Sequence, residues 1–109
     1  MKEITLDNKK MALSINGIEF DVLISDAEVL VIHGELREKI KTIDSTDPLS
    51  ILAFDQYVTS LFAKTIGENA METISGGAPV AMARKLEWYM NILSSIDQMY
   101  FETLVADND

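Results

Sequence analysis

Apolar and polar side chains alternate early in the chain. Met11, Leu13 and Ile15 take turns with Ala12, Ser14 and Asn16, and Ile18, Phe20, Val22 and Ile24 with Glu19, Asp21 and Leu23. A period of two is that of a half-buried strand. Between the runs stands Asn16-Gly17, the pair favoured where a two-residue turn needs positive φ. Residues 11–16 and 17–24 therefore read as a β-hairpin. Its apolar face must be covered, because a lone hairpin is marginal in water. Residues 1–10 form a polar lead-in with Asp7, Asn8, Lys9 and Lys10, and a short strand is expected at Ile4-Thr5-Leu6.

The period then becomes helical. Ser25-Asp26-Ala27-Glu28 spells a capping box, with Ile24 and Val29 placed to form a hydrophobic staple. The first helix is expected to run to about Ile43, with Val29, Ile32, Leu36, Ile40 and Ile43 on one face and Glu35 and Lys39 paired four apart. Gly34 weakens it by up to ~1 kcal/mol and is expected to let it pack closely on the hairpin. Asp47-Pro48 suits a cap followed by proline at the first helical position. A second helix should run from there to about Ile66, inward through Ile51, Phe54 or Asp55, Val58, Leu61, Phe62 and Thr65, widened by Leu52 and Tyr57. Gly67 stops it. A short helical segment over residues 68–75 turns Ala70, Met71 and Ile74 inward and ends at Gly76-Gly77. The last helix is expected to open at Ala78-Pro79 and reach about Val105, leaving 106–109 as a frayed acidic tail.

That last helix carries two apolar stripes. Ala83, Leu86, Met90, Leu93, Tyr100 and Leu104 make one, interrupted by Asp97; Met82, Tyr89, Ile92, Ile96 and Met99 make the other. Packing on one side needs only one stripe. Either the helix is central and covered on both sides, or part of it is an exposed groove. On the second reading Met82, Trp88, Tyr89, Ile92, Ile96 and Met99 are the candidate protein-interface residues, since Trp and Tyr are frequent binding anchors and Met adapts to irregular partners. The pattern as a whole, hairpin first and three to four helices after it, predicts an α+β fold in one domain, residues 1–109, with 11–24 as the hairpin and 25–105 as the helical part.

Composition narrows what such a domain can do. Hydrophobic residues are 48% of 109, enough for a core without disulfides, and there is no cysteine to form a disulfide, a thiolate zinc site or a thiol nucleophile. The net charge of −9 opposes binding to nucleic acid or anionic lipid. Lys9-Lys10 and the group Arg37, Lys39, Lys41 are the best basic candidates, the latter interleaved with Glu35 and Glu38. No stretch approaches the ~18 apolar residues of a membrane span, and no signal-peptide pattern follows Met1. A cytoplasmic protein is expected.

Candidate chemistry is sparse. His33 is the only histidine and has no nucleophile or acid placed beside it in a motif. Glu68 and Glu72, four apart, could share a helix face, but no further metal ligands join them. Gly76-Gly77 before a helix start resembles a phosphate cradle, without its lysine and with Pro79 removing a donor. No catalytic residue, cofactor or metal is expected, and the chain reads as a protein-binding domain rather than an enzyme.

A resemblance goes further. Ile15-Asn16-Gly17-Ile18-Glu19-Phe20, the capped start Ser25-Asp26-Ala27-Glu28, the apolar run from Phe62 into Gly67-Glu68-Asn69-Ala70, and Ile74-Ser75-Gly76-Gly77 before a long helix follow one another in an order similar to small proteins. Those proteins are encoded among the tail genes of long-tailed phages and prophages of Gram-positive bacteria. The first ten residues depart from that pattern, and no residue with an assigned role carries across. The resemblance implies a tail assembly chaperone that binds the tape-measure protein, a tail-tube subunit, or both, inside the bacterial host cell, with homo-oligomers a further expectation. Two alternatives stay open: a small structural virion component that self-assembles, and an acidic inhibitor of a bacterial protein.

Overall fold

The computed structural model describes residues 1–6 and 9–107, so Asp7, Asn8 and the end of the expected frayed tail lie outside the described residues. Strands β1 (Ala12–Ile15) and β2 (Ile18–Asp21) form the expected antiparallel hairpin. Leu13 pairs with Phe20 and Ile15 with Ile18, closing on Asn16 and Gly17, whose φ values of 53° and 80° are the positive angles this turn requires. The ladder extends through the Val22 N–H, which donates to the Met11 carbonyl (2.9 Å). No strand forms at residues 4–6, which are exposed and irregular: with no neighbouring strand to pair with, their β-propensity is not realised.

Four helices follow: α1 (Asp26–Ile40), α2 (Pro48–Ile66), α3 (Ala70–Ser75) and α4 (Met82–Asp107). The capping box is present in full, with the Glu28 N–H donating to Ser25 Oγ and the Ser25 N–H to Glu28 Oε1. Asp47 caps α2 by accepting from the Leu49 N–H (3.0 Å), and Pro48 follows at the first helical position. Helix α1 stops at Ile40, not Ile43. The Thr42 hydroxyl donates to the Lys39 carbonyl (2.7 Å) and the Asp44 N–H to Ser50 Oγ (3.0 Å), giving the chain partners outside the helix. Ile43 still packs against the core, whereas Ile40 is exposed. Lys39 lies over the Tyr57 ring (4.8 Å) rather than on Glu35, and the ion pair formed on α1's end joins Glu38 to Lys41 (3.1 Å).

Helix α4 starts four residues later than expected. Ala81 accepts from the Arg84 and Lys85 N–H groups, while the Ala78 N–H donates back to Ser75 and closes the preceding turn. The residue before proline disfavours the helical region, so residues 78–81 bridge the two helices. At the other end α4 continues through Val105 to Asp107, since no glycine or proline stops it there.

The core gathers Ile24, Val29, Ile32 and Leu36 with Phe54, Val58, Leu61, Phe62 and Ile66, then Ala70, Tyr89, Ile92, Leu93 and Ile96. Helices α2 and α4 make the broadest helix–helix contact, and α1 also packs on α4. Two backbone ties fix the hairpin's exit: the Leu23 N–H donates to the Thr65 carbonyl (2.9 Å), and the Tyr100 hydroxyl to the Ile24 carbonyl (2.5 Å). Gly34 faces open space, not the hairpin. The molecule measures 64 × 30 × 27 Å with a radius of gyration of 16.6 Å, against about 13 Å for a compact chain of this length. A helix the length of α4 spans about 39 Å, more than either short dimension.

Candidate protein-binding surface

Helix α4 buries one apolar face rather than both stripes. Tyr89, Ile92 and Ile96, expected as interface residues, are core residues, with Tyr89 and Ile96 at 0% exposure. The physical reason is that they share one face of α4 with Leu93, and that face packs on α1 and α2, whereas Ala83, Met90 and Leu104 of the other stripe stay exposed. Tyr89 is held there by its hydroxyl on Thr65 Oγ1 (2.8 Å) and its ring against Phe62 (5.4 Å, 57°). Burial pushes its phenol up to about 12, with the Thr65 hydrogen bond opposing and Tyr57 adding to the rise.

The other three stand differently. Met82 and Trp88 are half-buried and pack against the core, and Met99 is half-buried near the C-terminal part of α4. Trp88 lines a groove of about 560 Å³ with Leu13, Ser14 and Ile15 of β1, Ile74 of α3, and Asn91 and Ile92. It is therefore a groove wall rather than a free anchor.

The exposed apolar surface lies further along. Leu30 of α1 (70% exposed), Phe101 (64%) and Leu104 (60%) of α4 line an open groove with Ala27 and Tyr100, and Val105 is exposed one residue on. Asp26, at α1's first turn, and Asp97 border it, and no lysine or arginine is among its lining residues. The carboxylates of Asp26 and Glu28 are close enough to raise the Tyr100 phenol above its ordinary value, after burial as the larger cause. This surface is an apolar strip with an anionic rim. Its components were visible in sequence as Asp97 interrupting a stripe and Leu104 continuing it. Leu30 was missed, because on α1's own pattern it falls outside the inward face.

The remaining candidates for chemistry do not assemble. Glu68 lies in the turn before α3, so it shares no helix face with Glu72. Gly76 and Gly77, at φ 66° and 80°, terminate α3 and stand several residues before α4's start, not at its N-terminus. His33 is half-buried on α1. Among the described residues no group of three or more His, Cys, Asp or Glu side chains is placed to hold a metal. One partly buried ion pair was not anticipated. Lys85 of α4 bonds Asp55 (3.1 Å) and Thr59 Oγ1 (3.2 Å) of α2, settling the Phe54-or-Asp55 choice with Phe54 in the core and Asp55 at its margin. Among the described residues no helix is long and apolar enough to cross a membrane.

No family model, curated protein or solved structure matches the chain.

Proposed function

We propose that this chain is a non-enzymatic protein-binding domain that serves as a tail assembly chaperone of a phage or prophage, holding a helical segment of the tape-measure protein inside the host cell. The observation that carries this reading is the strip formed by Leu30, Phe101 and Leu104, rimmed by Asp26 and Asp97. Large apolar side chains grouped at this exposure are costly in water unless a partner covers them. An amphipathic helix laid in a groove is one way of covering such a strip, and the anionic rim favours a cationic one. The similarity in motif order to tail-gene proteins supports the tape-measure protein as the source of that helix.

The test is co-expression of the tagged chain with the tape-measure and tube proteins of the same tail gene cluster, followed by affinity purification. The expected result is recovery of the tape-measure protein by the wild type and its loss with the Leu30→Asp/Phe101→Asp variant, while purified particles lack the chain. Failure to recover a tail protein refutes the chaperone role. Stoichiometric presence in particles would make the chain a virion component instead.

A further inference from the structure

We infer that the outer edge of β1 is a strand-addition site, and that its occupant is the Ile4-Thr5-Leu6 segment of a second copy of this chain. In an antiparallel ladder, bonded and non-bonded pairs alternate. The Met11–Val22 pair is bonded, so Leu13–Phe20 and Ile15–Ile18 are bonded too, and the backbone groups of Ala12 and Ser14 point away from β2. Among the described residues nothing hydrogen-bonds to them. The outward residues of β2 are Glu19 and Asp21, charges of the kind that discourage edge pairing. Those of β1 are small and uncharged.

Beside this unguarded edge runs the groove lined by Ile74, Trp88 and Ile92, on the same side as the half-buried Leu13 and Ile15. A strand added to β1 would send alternate side chains into that groove. Ile4 and Leu6 have this spacing, with Thr5 facing the opposite way. They stand at 74% and 88% exposure, covered by nothing in their own copy. The inference is independent of the Leu30–Phe101 strip, which lies elsewhere on the molecule.

Sedimentation of the full-length chain over a range from micromolar to millimolar tests it, with two variants. Ser14→Pro removes only an outward N–H and so spares the hairpin ladder, as proline is tolerated on edge strands in that position. Leu6→Asp lies outside the core and cannot unfold it. Wild type is expected to self-associate with rising concentration, accompanied by slowed amide exchange at Ala12 and Ser14. Each variant should weaken association by about 10-fold or more, the scale of losing one buried leucine or its strand pairing. Ser14→Pro must keep the wild-type melting temperature for its result to count, and Leu6→Asp carries the test if it does not. Wild type that stays monomeric throughout overturns the inference, including when Ala12 and Ser14 are protected at all concentrations, which would place the segment on its own copy's edge. Association untouched by Leu6→Asp overturns it as well.

Discussion

Tyr89 decides whether the middle of α4 is core or interface, and its hydroxyl offers a quantitative test. The Thr65–Tyr89 bond joins α2 to α4 with both residues at 0% exposure. Thr65→Val leaves the phenol without its partner in the interior, at a cost of about 1–3 kcal/mol. Tyr89→Phe leaves the threonine hydroxyl, which can turn to the carbonyl one helical turn back, so about 1 kcal/mol is expected. The double variant removes both polar groups with the shape nearly kept and should be closer to wild type than the sum of the singles, by roughly 1 kcal/mol or more. Urea unfolding of the four proteins at neutral pH measures the cycle.

The same residue sets an alkaline limb. The folded chain holds the phenolic proton to about 12 and the unfolded chain only to its ordinary 10.0. The folded state therefore binds more protons in that window. Its contribution is complete below pH 10.0, declines as pH rises toward about 12, and amounts to up to about 3 kcal/mol. The difference in stability between wild type and Tyr89→Phe, followed across that window, isolates this group from the lysines and other tyrosines. Additive single variants, together with a pH-independent difference, would refute the buried bond and restore Tyr89 as a candidate contact residue.

Leu30→Asp/Phe101→Asp should change unfolding free energy by less than about 1 kcal/mol while abolishing capture of the tape-measure protein, because both side chains are mostly exposed; a large loss of stability would place them in the core. Gly34→Ala should stabilise the domain by about 0.5–1 kcal/mol in thermal or urea unfolding, since the glycine sits inside α1 with open space where the methyl would lie. Gly67→Ala should cost about 1–3 kcal/mol and more than Gly76→Ala, as φ 111°, ψ 155° is a conformation reserved for glycine, whereas φ 66°, ψ 21° at Gly76 is left-handed helical and open to other residues at about 1–2 kcal/mol. Equal losses at the two sites would show that the chain relaxes around Gly67.

Local chemistry was legible wherever one short stretch of chain contains both partners of the interaction. The Asn16-Gly17 turn, the Ser25–Glu28 capping box, the Asp47-Pro48 start and the Gly67 stop all involve groups a few residues apart, so the alternating strands and the helical order could be read without tertiary knowledge. The α+β class followed from that order. Boundaries at Ile40 and Met82 were less accessible, because they depend on whether Thr42, Ser50 and Ala81 supply alternative partners in three dimensions.

The sequence by itself determined the elements, their order, an acidic chain without cysteine, and the inward faces of α1 and α2 except at Ile40 and Leu52, which are exposed. Only the tertiary structure decided which side of α4 meets solvent. An apolar stripe records that a surface must be covered, not by what. Tyr89, Ile92 and Ile96 are covered by the chain's own helices, while Phe101 and Leu104, further along α4, stay exposed. The exposure of Leu30 beside them, and the unpaired edge of β1 beside the Trp88 groove, likewise arise from residues far apart in sequence being brought together, a relation that no periodicity along a single element contains.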